Sequence, residues 1–258
     1  MAVDRSTGKR LPWKIALLAA ASVAIALVSL QLQPAPLFAH SIRHAQFVVH
    51  SDKPLGEGWK FVLQDAQRRL ATSELYDTDA ELRIFVCNEP WRLWLLTRST
   101  DVGGFVDTFA TRNIYIREAI AAENRIVPPG ETLADADVRP LSYFIAHEGV
   151  HVMQSRTFGR AVSLTSPKWL VEGYADYVAK AGDFHFEDNR QRLIDGDPLL
   201  SESYARRGLY RRYHLMVEHA FRASGFSVIQ LFDDPPTESD VFYGLTSGAS
   251  SPSEREPQ

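Results

Sequence analysis

Cysteine is almost absent: Cys87 is the single one among 258 residues. That excludes a disulfide framework and any zinc cluster held by several thiolates. Cys87 lies in the apolar run LRIFVC, where a buried small hydrophobe is favoured over a nucleophile. A basic excess is missing too. With 28 Lys and Arg against 32 Asp and Glu, the formal net charge is −4. No positive field is available to track a phosphate backbone, so nucleic acid is not expected as a partner. No internal repeat divides the chain. What remains, 45% hydrophobic and 23% charged residues, is enough for one sizeable globular core.

Charge is wholly lacking from one segment, IALLAAASVAIALVSLQL, Ile15 to Leu32. Eighteen helical residues at about 1.5 Å each cover about 27 Å, close to a bilayer core. Residues 1–14 carry Arg5, Lys9, Arg10 and Lys14, which favours a cytoplasmic N-terminus and an exported remainder. A cleaved signal peptide is the competing reading. It wants small residues at the last and third-last positions before the cut. Ala39 is preceded two positions earlier by Leu37, and Ala35 by Gln33, so an uncleaved single-pass anchor at 15–32 is preferred.

Residues 33–41, with two prolines, read as a linker, 42–245 as one domain, and the small polar stretch 246–258 as a disordered tail. In the first half of the domain HAQFVVHS and LRIFVC read as strands, with a helix from about Trp59 to Thr72 between them. PWRLWLLT reads as a short helix with Trp91, Trp94 and Leu95 on its core face. Strand-like alternation recurs around Ile114, Tyr115 and Ile116, after turn residues Gly103 and Gly104. The second half reads as helices at about Pro140–Arg156, Ser166–Ala181, Ser203–Ala223 and Phe226–Phe232. Strands first and helices later predict an α+β fold.

The most informative stretch is FIAHEGVHVMQ, Phe144 to Gln154. Pro140 suits a first helical position, where its missing N–H would have no partner, and Gly159 suits a left-handed stop. His147 and His151 stand four apart, so both imidazoles leave one face, a turn from each other. Two neutral imidazoles so placed can meet one ion at about 2.0–2.1 Å. Glu148 points to an adjacent face, from which it can reach a water on that ion without ligating it. The next helix, in SPKWLVEGYADYVAKAG, is expected to start with Ser166 as N-cap and Pro167 as first residue, and to close at Gly182. Glu172 follows His151 by twenty-one residues, enough for one helix to end and the second to return beside it. Its carboxylate then supplies a third ligand and leaves a fourth position for water, the pattern of a catalytic zinc site. Asp176, one turn on, can accept the spare N–H of a ligating histidine and fix its orientation. Histidines four apart also occur on ordinary helices; it is the glutamate and aspartate downstream that carry the metal reading.

Together HEGVH, Glu172 and Asp176 resemble the gluzincin clan of zinc metallopeptidases. The string WLVEGYADY, Trp169 to Tyr177, is similar to the W-L-x-E-G-x-A pattern around the clan's glutamate ligand, and looks most like the bacterial "peptidase MA-like" group. The specific match covers about Leu141 to Tyr177, with a weaker likeness at Asn113–Arg117 and Tyr210–Gly225. The resemblance implies a zincin-like α+β fold, Zn2+ held by His147, His151 and Glu172, and Glu148 as general base. It implies a strand before the HExxH helix that pairs with extended substrate. Here that is Arg112–Arg117, with Asn113, Ile114 and Tyr115 as substrate-binding residues. It also implies an oxyanion-stabilising Tyr or His further along. Tyr204, Tyr210, Tyr213 and His214 are available; Tyr210 fits best, and His185 ranks below it.

The expected activity is hydrolysis of peptide or protein substrate by a zinc metallopeptidase held at a membrane by its N-terminal helix, internal or end-trimming. The resemblance implies a bacterial inner membrane with the catalytic domain on the periplasmic, extracytoplasmic side. The rival is a non-hydrolytic zincin-fold scaffold of the cell envelope. A third reading is an anchored globular domain without metal.

Overall fold

The computed structural model of the chain describes residues 13–127, 139–200 and 205–247. Arg5, Lys9, Arg10, Tyr204 and the tail beyond 247 lie outside the described residues. Helix α1 (Trp13–Leu32) leads, and its Ile15–Leu32 window has a mean hydropathy of 2.3 with none of it buried against the protein. It is long and apolar enough to cross a membrane.

The stretch expected as a linker is partly structured. A 3-10 turn at Ala35–Leu37 leads to Phe38, only 8% exposed, and strand β1 (His40–His44) follows. β1 folds back on β2 (Phe47–Ser51), so HAQFVVHS is a turn plus a strand and not one strand. The reversal sits at Ala45, φ 47°, a left-handed position that carries no Gly or Asn to announce it. After β2 come α2 (Gly58–Leu70), β3 (Leu82–Cys87), α3 (Pro90–Thr97), β4 (Gly104–Val106) and β5 (Ile114–Arg117). The sheet order is β1-β2-β3-β5-β4; β2, β3 and β5 run parallel, and β1 and β4 flank them antiparallel. Gly104, expected as a turn residue, belongs to the outer strand.

Strand alternation sorts the sheet's side chains onto two faces. Ile84, Val86, Ile114 and Ile116 join the main core under α2 and the helical half. Phe85, Cys87 and Tyr115 face a smaller cluster with Phe38 and Leu93. Cys87 is buried as expected, and burial pushes its thiol up to about 12, which leaves it inert as a nucleophile. In α3 the expectation fails: Leu93 is the buried residue, and Trp91 and Trp94 are each 53% exposed.

A two-stranded ribbon, β6 (Ala119–Ile120) with β7 (Arg125–Ile126), leads toward the helical half. There follow α4 (Leu141–Thr157), α5 (Val162–Thr165), α6 (Lys168–Lys180), α7 (Phe186–Ile194), α8 (Ala205–Ser224), α9 (Val228–Asp233) and α10 (Glu238–Thr246). The fold is therefore mixed α+β, a five-stranded sheet followed by a mostly helical half. α4 is buried almost all round, wedged between the sheet with α2 on one side and α6 on the other. Its first turn is capped from a distance: Asn124 accepts from the Ser142 N–H at 2.9 Å and from the Leu141 N–H at 2.7 Å. Pro140 therefore sits just outside the helix, and Gly159, φ 95°, turns the chain after it. α6 starts one residue later than expected, with Pro167 and not Ser166 at its cap, and ends at Ala181, φ 47°, not at Gly182. Against α8 it touches backbone to backbone: a Cβ on Gly173 would lie 2.5 Å from the Tyr213 carbonyl oxygen.

Candidate metal centre

His147 and His151 leave α4 a turn apart, their rings 4.9 Å between centroids and nearly perpendicular. α6 returns alongside and delivers Glu172 between them. Its Oε2 lies 3.4 Å from His147 Nε2 and 3.6 Å from His151 Nε2. The three donor atoms all lie within 4.8 Å of one another. Bonds of about 2.0–2.1 Å to one tetrahedral ion place ligand atoms about 3.3–3.4 Å apart. A direct charge-assisted hydrogen bond would draw nitrogen and oxygen to about 2.7–2.9 Å. The observed spacing is the wider one, and two imidazoles with a carboxylate are a donor set that could hold a divalent ion.

Without an ion the three groups interact with one another. Burial opposes charge on His151, but the Glu172 carboxylate outweighs it and holds the imidazole at about 9. Burial likewise opposes ionisation of Glu172, and the two histidines overcome it, holding its carboxyl far below the usual range. Glu148, 7% exposed, is pushed up by burial against the pull of both histidines. No hydrogen bond from the described residues engages its carboxyl. β4 lies against it: a Cβ on Gly104 would come 2.8 Å from Glu148 Oε1. A side chain at 104 would require the Glu148 carboxylate to shift. Above the group opens a cavity of about 930 Å³, lined by His147, Glu148, His151 and Glu172 and walled by Phe105, Val106, Phe144, Val171 and Tyr210.

The residues that hold these side chains are partly those expected. Gln154, which the sequence did not single out, does for His151 what Asp176 was expected to do. Its Oε1 lies 2.8 Å from His151 Nδ1, and its amide donates to the Val171 carbonyl at 2.9 Å on α6. The signal was there, since 154 is one turn after 151 on the same face. Asp176 touches neither ligating histidine. It accepts from the Tyr143 hydroxyl, from Lys180 Nζ at 2.8 Å and from His214 Nδ1 at 3.2 Å. The reason is direction: one turn beyond Glu172, its side chain faces α8 and the root of α4, away from the cavity. His147 Nδ1 is buried and meets no acceptor among the described residues.

Asn113, Ile114 and Tyr115 do not form an edge. β5 is flanked by β3 and β4, and the three residues are at most 2% exposed. Gly103 and Gly104, read as a turn, let the chain lay the short strand β4 outside β5. Among the described residues, the edge of the sheet beside the cavity belongs to Gly104–Val106. Tyr210 lines the cavity, its ring 5.8 Å from that of His147. Tyr213 and His214 do not line it; His214 faces Asp176 and the ring of Phe184, centroids 3.7 Å apart. His185 lies in a separate basic cavity with Arg69, Lys180 and Arg192. Arg139, missed from sequence, borders both cavities and lies 5.2 Å from the ring centroids of Tyr143 and Phe144.

Fold and site thus define a mixed α+β domain with a His–His–Glu group of ligand-like spacing at an open cavity. Comparison with models of known protein families and with curated proteins returns no match for the chain.

Proposed function

We propose that the protein is a membrane-anchored zinc metallopeptidase of gluzincin type, with α1 as anchor and the catalytic domain on the extracytoplasmic side. The observation that carries the reading is the convergence of His147 Nε2, His151 Nε2 and Glu172 Oε2 beside Glu148, under an open cavity. The ion, when bound there, supplies a Lewis acid that polarises the scissile carbonyl and acidifies a water. Every other part of the reaction falls to the chain. Glu148, buried and unengaged, takes a proton from the attacking water and returns it to the leaving nitrogen. The edge of β4, unpaired among the described residues, aligns an extended substrate by strand addition, and the apolar walls exclude competing water. Tyr210, whose ring lines the cavity 5.8 Å from that of His147, donates to the developing oxyanion.

Metal analysis and peptide-library cleavage on the full chain test this, each with and without a chelator. Stoichiometric zinc and chelator-sensitive cleavage are expected. Glu148→Gln should keep the metal and lose roughly 10²–10⁴-fold in rate. Cleavage by that variant at the wild-type rate would refute the assignment of the base. Zinc without any cleavage would leave the envelope scaffold, and protein without zinc a domain that uses no metal.

A further inference from the structure

The helix that turns its tryptophans outward stands at the foot of α1. Trp91 and Trp94 are one turn apart on α3 and each is 53% exposed. A tryptophan ring brings roughly 150–250 Å² of mostly apolar surface, so a paired exposure is unfavourable in water. The opposite face of α3 is anchored by Leu93, with Leu96 packed beside it, in the cluster of Phe38, Phe85 and Tyr115. That fixes the outward direction of the two indoles.

The level at which they stand is also fixed. Gln31, in the last turn of α1, donates through Nε2 to the Leu95 carbonyl at 3.4 Å, satisfying one of the orphan carbonyls at the end of α3. The 20 residues of α1 span about 30 Å, the thickness of a hydrocarbon core. Its end therefore marks a bilayer boundary, and α3 touches α1 within one turn of that end. The connection is not loose. Ala35 and Leu37 pack on the same cluster, and Phe38 meets Phe85 with ring centroids 5.3 Å apart. Guanidiniums accompany the rings: that of Arg92, itself paired with Asp52 at 2.6 Å, lies 4.5 Å from the Trp91 centroid, and that of the exposed Arg98 lies 5.4 Å from the Trp94 centroid. Indoles with basic neighbours, on one face of a helix at the end of an apolar span, match the chemistry of the headgroup boundary.

The geometry points to α3 as an interfacial helix: Trp91 and Trp94 insert into the boundary of the same bilayer that α1 crosses, and so fix the tilt of the domain above it. This rests on α1 spanning that membrane. With Trp13 at the opposite end of α1, the chain then carries an indole at each boundary. The occupant is lipid; a second copy of the chain on this face is the alternative outcome.

The test uses the full chain in phosphatidylcholine vesicles whose lipids are brominated high on the acyl chain, a short-range quencher of indole fluorescence. Trp59 and Trp169 are buried, 4% and 0% exposed, and supply a constant background. In Trp13→Phe protein, emission should still be quenched, and adding Trp91→Phe and Trp94→Phe should abolish that quenching. Unchanged metal content verifies that the triple variant is folded. If Trp13 is quenched but the α3 pair is not, α1 is in the membrane and the interfacial helix is refuted; crosslinking between copies at 91 or 94 would then assign the face to self-association. If none of the three is quenched, the span itself fails, and the inference falls with it.

Discussion

One turn of α6 separates Glu172 from Asp176. Asp176 is sealed, and Tyr143, His214 and Lys180 all donate to it. Glu172 borders the cavity, with its nearest nitrogens at 3.4 and 3.6 Å. Both carboxyls are held far below their usual pKa range, against burial. Asp176 is held there chiefly by Lys180, with His214 adding to it, and Glu172 by the paired imidazoles. Acidity alone does not tell the two apart. Coordination does: a saturated carboxylate ties three helices together, while one whose donors stand off at ligand spacing has a vertex to give.

The contrast is sharpest where the sealed group is removed. Asp176→Ala leaves Lys180 and His214 buried without their partner, and is expected to cost about 3–5 kcal/mol in unfolding free energy. Denaturant titration reads this directly, and the metal content of the molecules still folded should stay stoichiometric. Glu172→Ala should instead fall mainly on the metal: affinity down by at least about 100-fold, the upper end for losing only a ligand's hydrogen-bond partner, with a smaller loss of apo stability than Asp176→Ala. If the two variants exchanged phenotypes, the division between sealed and open carboxylates would be wrong. Gln154→Ala tests the support of His151, with an expected loss of roughly 10–100-fold in metal affinity by competition with a chromophoric chelator. A smaller effect comes from Asp65, which bridges Ser142 at the start of α4 to Arg68 and Arg69 on α2. Burial would raise its pKa, but these partners lower it from 3.8 to about 2. Its contribution is therefore present above the unfolded value and is lost as pH falls through the folded one. The wild type should lose about 2 kcal/mol over that acid range, and Asp65→Asn should flatten it without touching metal affinity.

The part of the site legible in sequence is the part set by helical period. His147 and His151 share a face because 3.6 residues make a turn, and Glu172 follows at a distance only a helical hairpin closes. Gln154 obeyed the same rule and was overlooked because glutamine is seldom weighed as a partner for imidazole. What could not be read depends on tertiary direction. Asp176 stands one turn from Glu172, yet packing against α8 turns it to Lys180 and His214. The order of β5 and β4 in the sheet is likewise invisible locally. A short strand after two glycines reads as a turn, which leaves the strand at Ile114–Arg117 as the one the resemblance assigns to substrate, while β4 lies outside it. Nothing in PWRLWLLT alone says which face of the helix meets the core, and the hairpin at Ala45 is hidden by a residue that rarely takes a positive φ.

Gly173, adjacent to Glu172, has a bearing on how this centre can be altered. Any side chain at 173 would collide with the Tyr213 carbonyl oxygen at 2.5 Å and with Val217 at 2.8 Å. Backbone cannot rotate aside as a rotamer can, so the only remedy is to part α6 from α8 and carry the glutamate with it. Protein engineers who want to retune the proposed site's affinity or selectivity for an ion therefore have no foothold at that position. Their handles are His147, His151 and Gln154 on the facing helix, and the cavity wall across from it.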